Sequence, residues 1–256
     1  MARFKVGVQL EPQHCSVEDL RRAWRDADVL GVDSIWTWDH FFPLHGDPGG
    51  EHFEGWTLLA AAACDTTHSA LGILVSCNSY RSPDLLADMA RTVDHLSGGR
   101  VILGIGAGWN ERDYEEYGFG FGTPGSRLSD LEEGLGRIRA RLGKLVPPPV
   151  GAMPILIGGD GERVTLRLVA EHADIWNGFG PVEKFARKNR ILDEWCARVG
   201  RDPSSVERSV LLVDPSDPEH IEDFLAAGAQ HLIVPVGAPF RLTQVERLLA
   251  LARAAE

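Results

Sequence analysis

An aspartate and a histidine stand at the end of a short apolar stretch, in the segment SIWTWDHFFP that covers residues 34–43. His40 shares its parity with Trp36 and Trp38, so on a regular strand it would point with the two indoles and the aspartate would point away. A histidine that is held by a carboxylate can give or take a proton near neutral pH. The segment therefore predicts a proton-transferring His40 beside Asp39, although a single histidine is more often a packed or surface residue.

Two glycine-rich segments further along the chain have the composition of a ligand-binding rim. In GIGAGWNERDY, glycines occupy the alternate positions 104, 106 and 108, so on a strand they would share one face without side chains. This face could accept a flat ring, or the glycines could serve only the packing of a barrel interior. In ILIGGDGER residues 158–161 lead from a strand into a helix, where exposed N–H groups can cradle a phosphate. A tight turn with Asp160 as the N-cap explains the second segment equally well.

These segments must be positioned by a chain that alternates short β-branched runs with stretches of helical period. The predicted strands are 5–10, 34–38, 71–76, 101–105, 154–157, 174–177, 209–213 and 231–236. The predicted helices that follow them are 17–30, 56–66, 84–96, 126–145, 162–172, 182–199, 218–227 and 242–255. This order predicts one α/β domain over residues 1–256, a (β/α)8 TIM barrel, with an open doubly wound sheet as the alternative. In a barrel the residues that follow the strands meet at one rim.

Composition narrows the class of partner. The formal net charge of −11 argues against nucleic acid or an anionic membrane surface, since both would repel the chain. The four cysteines are widely spaced, and no apolar run is long enough for a signal peptide or a membrane span. His40, His45 and His52 lie near one another, but their spacing matches no zinc pattern, so no metal is predicted. These features predict a cytoplasmic protein that handles a small molecule.

Three stretches together resemble the bacterial luciferase-like oxidoreductases, and more narrowly the branch that uses the deazaflavin coenzyme F420. They are GVDSIWTWDHFFP, SCNSYRSPDLLADMARTVDHLSGGRVILGIGAGWNERDYEEYG and PILIGGDGERVTLRLVAEHADIWN. The resemblance implies a TIM-like barrel that binds coenzyme F420, or FMN as the alternative, across one rim. It also implies hydride transfer between the cofactor and a small organic substrate, with His40 exchanging the accompanying proton, in a homodimer.

The resemblance assigns a role to individual residues. His40 is the implied catalytic residue. The implied cofactor-binding residues are Asp39, Leu74, Val75, Ser76, Asn78, Gly106, Ala107, Gly108, Trp109, Asn110, Gly158, Gly159 and Asp160. Family members also carry a bulge with a non-proline cis peptide in the third strand, which here would lie around residues 74–76.

The chain departs from the family pattern in three places. The segment between the predicted fourth and fifth strands is short, with one helix and a proline turn where relatives insert structure over the pocket. Trp109 stands where deazaflavin-dependent sugar-phosphate dehydrogenases have an acidic residue, which argues against that substrate class, and Glu111 lies nearby. Asp160 adds negative charge to the phosphate loop, and only Arg163 or Arg167 is placed to offset it.

Three other functions compete with the deazaflavin oxidoreductase. An FMN-dependent monooxygenase or flavin reductase would use the same fold. A flavin-binding barrel without turnover would suit the presence of Trp109 and the shortened segment. A metal-dependent hydrolase is the weakest of the three, because the first strand lacks the histidine pair that such barrels use.

Overall fold

The computed structural model describes residues 4–214 and 216–254. The strands are β1 Lys5–Leu10, β2 Ser34–Thr37, β3 Ala70–Ile73, β4 Ser76–Cys77, β5 Val101–Gly106, β6 Ile155–Gly158, β7 Ile175–Phe179, β8 Glu207–Leu211 and β9 His231–Val236. The helices are α1 Val17–Leu30, α2 Gly55–Asp65, α3 Pro83–Ser97, α4 Glu111–Tyr117, α5 Pro124–Leu142, α6 Thr165–His172, α7 Val182–Val199, α8 Ile221–Ala226 and α9 Thr243–Arg253. None of the helices in these ranges is long and apolar enough to cross a membrane.

The strands close into a parallel barrel. Strand β1 pairs with both β2 and β9, and the ring continues through every neighbour to β5, which pairs with β3. Because β3 and β4 are the two halves of one barrel strand, the described part of the chain forms eight barrel strands with helices outside. The predicted (β/α)8 fold is confirmed, and the open-sheet alternative is wrong because the pairings leave no free edge.

Local signals in the sequence place several elements where they were expected. Ser16 caps α1 in a capping box with Asp19, and Gly31 ends that helix in the left-handed conformation with φ 81°. The predicted bounds of α1, α7, β1 and β9 are confirmed. The inward faces of the strands fill the barrel with one apolar cluster: Trp36, Leu74, Ile102, Leu156, Ile175, Leu211 and Ile233.

Other elements differ from the prediction. The segment after β5 carries two helices, α4 and α5, whereas one was predicted, so the expectation of a single-helix segment is wrong. The third strand is interrupted after Ile73, and β8 begins two residues earlier than predicted. The predicted last residue of the final helix, Ala255, lies outside the described residues.

A buried polar chain joins the strands at the amino-terminal end of the barrel. The Trp36 indole N–H donates to Ser34 Oγ at 2.6 Å, and Ser34 Oγ lies 2.8 Å from His231 Nε2. His231 Nδ1 lies 3.0 Å from Glu207 Oε1, and the ammonium of Lys5 donates to the second carboxylate oxygen of Glu207 at 2.6 Å. Since an indole can only donate, the Ser34 hydroxyl is left to donate to His231. The chain thereby connects β1, β2, β8 and β9.

Candidate active site

The third barrel strand carries a bulge at the floor of the site. Between the pairs Gly72 with Ile102 and Ser76 with Ile105, the third strand advances by four residues while β5 advances by three. The peptide bond between Leu74 and Val75 is cis, as the family resemblance implied.

Glycines on the neighbouring strands make room for the Val75 side chain. A Cβ on Gly106 would lie 2.8 Å from Val75 Cγ2, and one on Gly158 would lie 3.0 Å from Val75 Cγ1. A Cβ on Gly104 would clash with the Ile73 carbonyl. The glycine-lined face of β5 is therefore packed against the third strand. The prediction that this face is bare for a ligand ring is wrong for Gly104, which lies against the Ile73 carbonyl.

A cavity of about 270 Å³ opens above this bulge at the carboxyl-terminal ends of the strands. Its lining is Asp39, His40, Leu74, Val75, Ser76, Cys77, Tyr80, Gly106, Ala107, Gly108, Trp109, Leu131, Gly158, Gly159, Thr165, Asn177, Phe179 and Leu211. The structure thus brings together most of the residues that the sequence singled out. Asn78, Asn110, Asp160 and Glu111 lie outside this lining, whereas Tyr80, Cys77, Thr165, Asn177 and Phe179 were not anticipated.

His40 is held by a carboxylate, but not by the one next to it in sequence. Its Nδ1 lies 2.6 Å from Asp113 Oδ2, and the Asp113 side chain is completely buried. The same oxygen accepts from the Tyr80 hydroxyl at 3.0 Å and from the Asn110 amide at 3.0 Å. The other oxygen accepts from the Phe41 backbone N–H at 3.1 Å. Asp113 stands in the first turn of α4, the helix that the sequence did not predict.

The environment of Asp113 favours its charged form. Burial raises the pKa of this carboxyl, but the hydrogen bonds from His40, the Phe41 N–H and Tyr80 outweigh that penalty and hold the pKa below its usual value. Burial raises the pKa of Tyr80 far above the ordinary range, with the nearby Cys77 and Asp113 adding to the shift. Tyr80 is therefore a hydrogen-bond donor to Asp113 and not a proton-transfer group at neutral pH.

Asp39 has a partner of its own. The Arg81 guanidinium binds both oxygens of Asp39, at 2.6 and 2.8 Å, and the Cys77 backbone N–H donates to the same carboxylate at 2.8 Å. Asp39 is 2% exposed and still lines the cavity. A forked ion pair of this kind neutralises a buried carboxylate and fixes its orientation. Asp39 therefore connects the segment that carries His40 to Arg81 and to Cys77, which lines the cavity.

Two tryptophans flank the imidazole of His40, and one of them, Trp109, lines the cavity. The ring of Trp109 lies 5.4 Å from that of His40 and is 66% exposed, and the ring of Trp38 lies 6.0 Å away on the buried side. Trp38 is fixed by a hydrogen bond from its indole N–H to His52 Nε2 at 2.9 Å. Within residues 4–214 and 216–254, the Nε2 atom of His40 makes no hydrogen bond. His40 thus has one nitrogen anchored and one available to a ligand.

The loop before α6 differs from the prediction in its charge balance. Asp160 pairs with the ammonium group of Lys184, which the sequence did not identify. Arg167, one of the two arginines expected to offset Asp160, instead pairs with Glu132 and Glu171. The N-cap of α6 is residue 164, so Asp160 does not cap this helix.

The cavity fits a flat ring. Its floor is formed by Leu74, Val75 and Leu211, and a Cβ on Gly159 would approach Thr165 Cγ2 to 3.3 Å and narrow the space. Backbone that approaches a ligand closely needs such glycines. In the described part of the chain, no three His, Cys, Asp or Glu side chains are grouped so that they could hold a metal ion. The arrangement offers an apolar bed for a ring and one histidine nitrogen above it.

Comparisons with known proteins agree with this geometry. A family model described as luciferase-like monooxygenase matches residues 1–226. The phthiodiolone/phenolphthiodiolone dimycocerosates ketoreductase of Mycobacterium tuberculosis is 29% identical over 225 residues, which covers 73% of this chain and 58% of the ketoreductase. The chain spans between 57% and 58% of the length of the first curated relatives that it matches.

Solved structures share the fold at low sequence identity. An F420-dependent secondary alcohol dehydrogenase, in complex with an F420–acetone adduct, has a TM-score of 0.86 at 16% identity, with 99% of each chain covered. The oxygenating constituent of 3,6-diketocamphane monooxygenase from Pseudomonas putida, in complex with FMN, has a TM-score of 0.66 at 18% identity. That match covers 82% of this chain and 67% of the monooxygenase.

Proposed function

The chain belongs to the luciferase-like monooxygenase family, and we propose that it is an oxidoreductase that moves a hydride between coenzyme F420 and a small organic substrate. The observation that carries the proposal is His40, which stands over an apolar cavity with Nδ1 bound to a buried carboxylate and Nε2 free. The preference for F420 is supported by the likeness to the F420-dependent alcohol dehydrogenase over 99% of both chains.

Different residues of the cavity would contact different parts of the cofactor. We assign the bed of Leu74, Val75 and the small polar Ser76 to the ring, and the backbone of residues 106–109 to its edge. Gly158 and Gly159 would approach the phosphate, because a residue without a side chain lets a ligand come close to the backbone. When bound, a 5-deazaflavin supplies a carbon centre that exchanges hydride as a nicotinamide does.

His40 supplies the proton chemistry in this proposal. Asp113 accepts a hydrogen bond from Nδ1, so the neutral ring keeps the lone pair of Nε2 for a substrate hydroxyl proton. In the opposite direction the imidazolium donates the same proton to a carbonyl oxygen. A general acid–base group of this kind contributes on the order of 10²–10⁴-fold to the rate.

The lining also indicates the class of substrate. Among the described residues that line the cavity there is no Lys or Arg, and the only carboxylate, Asp39, is paired with Arg81. An anionic substrate would find no partner there, and burying an unpaired charge is costly. We therefore assign an uncharged alcohol or carbonyl compound to this site, with the exposed Trp109 covering its apolar part.

Cofactor binding tests the proposal directly. The purified protein is titrated with coenzyme F420 and in parallel with FMN, and tryptophan quenching reports a ring near Trp38 and Trp109. We expect saturable binding of F420 with little binding of FMN, followed by turnover of neutral alcohols or ketones. His40→Ala should retain binding and lose turnover by about 10²–10⁴-fold.

The alternatives give different results in the same experiment. A preference for FMN would favour a monooxygenase or flavin reductase, a reading supported by the shared fold of the diketocamphane enzyme. Tight F420 binding without reaction with any hydride donor or acceptor would favour a flavin-binding barrel. Binding of neither cofactor would contradict the proposal.

We also propose that two copies associate through the groove between α2 and α3. This groove has a volume of about 410 Å³ and is lined by apolar side chains that include Leu85 and Leu96, which are 53% and 48% exposed. Exposed apolar patches of this kind commonly mark protein interfaces. Light scattering should report a dimer that Leu85→Arg converts to a monomer, and a monomeric wild type would contradict the proposal.

A further inference from the structure

We propose that Asp113 is the positioning residue of His40, which fixes the orientation of the ring and holds it as the Nδ1–H tautomer. The inference deepens the proposed function and rests on it for its catalytic consequence, but the tautomer itself is a property of the protein alone. Asp113 is completely buried and does not line the cavity, so it acts through His40 and does not touch a substrate.

The hydrogen bonds around Asp113 decide where the protons are. Its carboxylate faces the Tyr80 hydroxyl, the Asn110 amide, the Phe41 N–H and the His40 ring, at 2.6 to 3.1 Å. Backbone and amide N–H groups can only donate, and a carboxylate accepts about four hydrogen bonds in total. The Phe41 and Asn110 N–H groups therefore favour the ionised carboxylate, in agreement with a pKa that the surrounding hydrogen bonds hold below its usual value. Opposite an ionised carboxylate, His40 Nδ1 must carry a hydrogen.

The tautomer determines what the other nitrogen can do. With hydrogen on Nδ1, the neutral ring presents an acceptor at Nε2, which is the nitrogen without a partner in the described part of the chain. With hydrogen on Nε2 instead, the ring could not accept a proton from a substrate, and Nδ1 would face the carboxylate lone pair to lone pair. Asp113 thus selects the reactive form before a ligand arrives.

The position of the pair is fixed from several directions. Asn110 is the N-cap residue of α4, so its bond to Asp113 ties the start of the helix to the site. Phe41 stacks on Tyr117 with ring centroids 4.1 Å apart, which holds the loop after β2 against the same helix. These contacts hold the backbone of the two segments that carry His40 and Asp113 against each other.

Other ionisable groups near His40 are few and can be separated from Asp113. His52 lies beyond Trp38, and burial lowers its pKa to about 4, so it is neutral above pH 5. Asp39 is neutralised by Arg81. The charge that faces the His40 ring directly is Asp113, so a change of the His40 tautomer on its removal can be attributed to it.

The experiment measures the ring nitrogens of His40 by NMR in ¹⁵N-histidine-labelled protein without cofactor, with His40→Gln used to assign the signals. In the wild type we expect the neutral ring to carry its hydrogen on Nδ1. Asp113→Asn should move that hydrogen to Nε2, while the matched control Tyr80→Phe, which removes one neutral bond to the same oxygen, should keep the wild-type tautomer.

Kinetics supply the second readout. Asp113→Asn should lower kcat by about 10²–10⁴-fold with a small change in KM, as expected when a general base is held in the wrong form. An Nε2–H tautomer in the wild type would overturn the inference even if Asp113→Asn does not fold, and so would a variant whose His40 signals match the wild type. If the proposed function is wrong, turnover is absent in every form while the tautomer result still stands.

Discussion

Replacing Ser34 with alanine should destabilise the barrel more than the loss of one hydroxyl suggests. Ser34 is fully buried, and its oxygen both accepts from the Trp36 indole and lies 2.8 Å from His231 Nε2. The alanine variant leaves a buried donor and a buried acceptor unsatisfied, at about 1–3 kcal/mol for each. We expect the free energy of unfolding to fall by about 2–6 kcal/mol.

A second buried serine, in the loop before β3, separates this effect from ordinary serine burial. Ser69 is 1% exposed, and its hydroxyl donates to the Val32 carbonyl at 2.9 Å. Ser69→Ala leaves one acceptor unsatisfied and should cost about half as much. Urea denaturation followed by far-UV circular dichroism measures both variants. Equal losses for Ser34→Ala and Ser69→Ala would refute the reasoning.

The buried hydrogen-bonded network that contains Ser34, His231 and Glu207 should also make the stability of the protein depend on pH. Burial raises the pKa of Glu207, but hydrogen bonds from His231 and Lys5 outweigh it and hold the pKa at about 2. The folded value lies below the ordinary 4.5, so this stabilisation is present above pH 4.5 and is lost as the pH falls towards 2. Its upper limit is about 3 kcal/mol. His231→Gln should remove most of this loss of stability at low pH, as measured by the free energy of unfolding between about pH 2 and about pH 5. A variant whose pH dependence equals that of the wild type would contradict the role of His231 in holding the Glu207 carboxylate.

Three further predictions concern other parts of the fold. The free energy of unfolding should fall as the pH drops from about 6.5 to about 4, because the pKa of His52 is lower in the folded than in the unfolded protein, so the unfolded chain binds the proton first. In His52→Gln, the urea midpoint should change less with pH across this window. Gly108→Ala should weaken cofactor binding at least tenfold in titrations, because φ is +84° and the new Cβ would clash with Tyr114 Oη. Asp28→Ala should cost about 2–4 kcal/mol in denaturation experiments, because the carboxylate accepts from the N–H groups of residues 67–69.

The sequence predicts well where the physical cause is local. The capping box at Ser16 and the glycine at 31 fix α1 within its own residues, and the bounds of that helix are confirmed. Helix α4 was missed because it has only seven residues and they are mostly charged, so it shows no apolar periodicity.

Long-range pairings account for the errors at the site. Asp39 is adjacent to His40 in sequence, but strand alternation turns it towards Arg81, and the carboxylate that reaches the ring is Asp113, 73 positions away. Lys184 on α7 could not be assigned to Asp160 for the same reason. The acid three residues after Asn110 was a usable signal, because a first-turn side chain can fold back to the N-cap.

The link between the loop after β2 and helix α4 has a consequence for engineering by segment exchange. His40 lies on one βα unit and its carboxylate, Asp113, lies on another, so the hydrogen-bonded pair forms only when both segments are present. A chimaera that takes the first loop from a relative and leaves α4 in place would fold as a barrel with an unanchored imidazole. Substrate range can therefore be altered by exchanging both segments as a matched pair, while the barrel beneath them is kept unchanged.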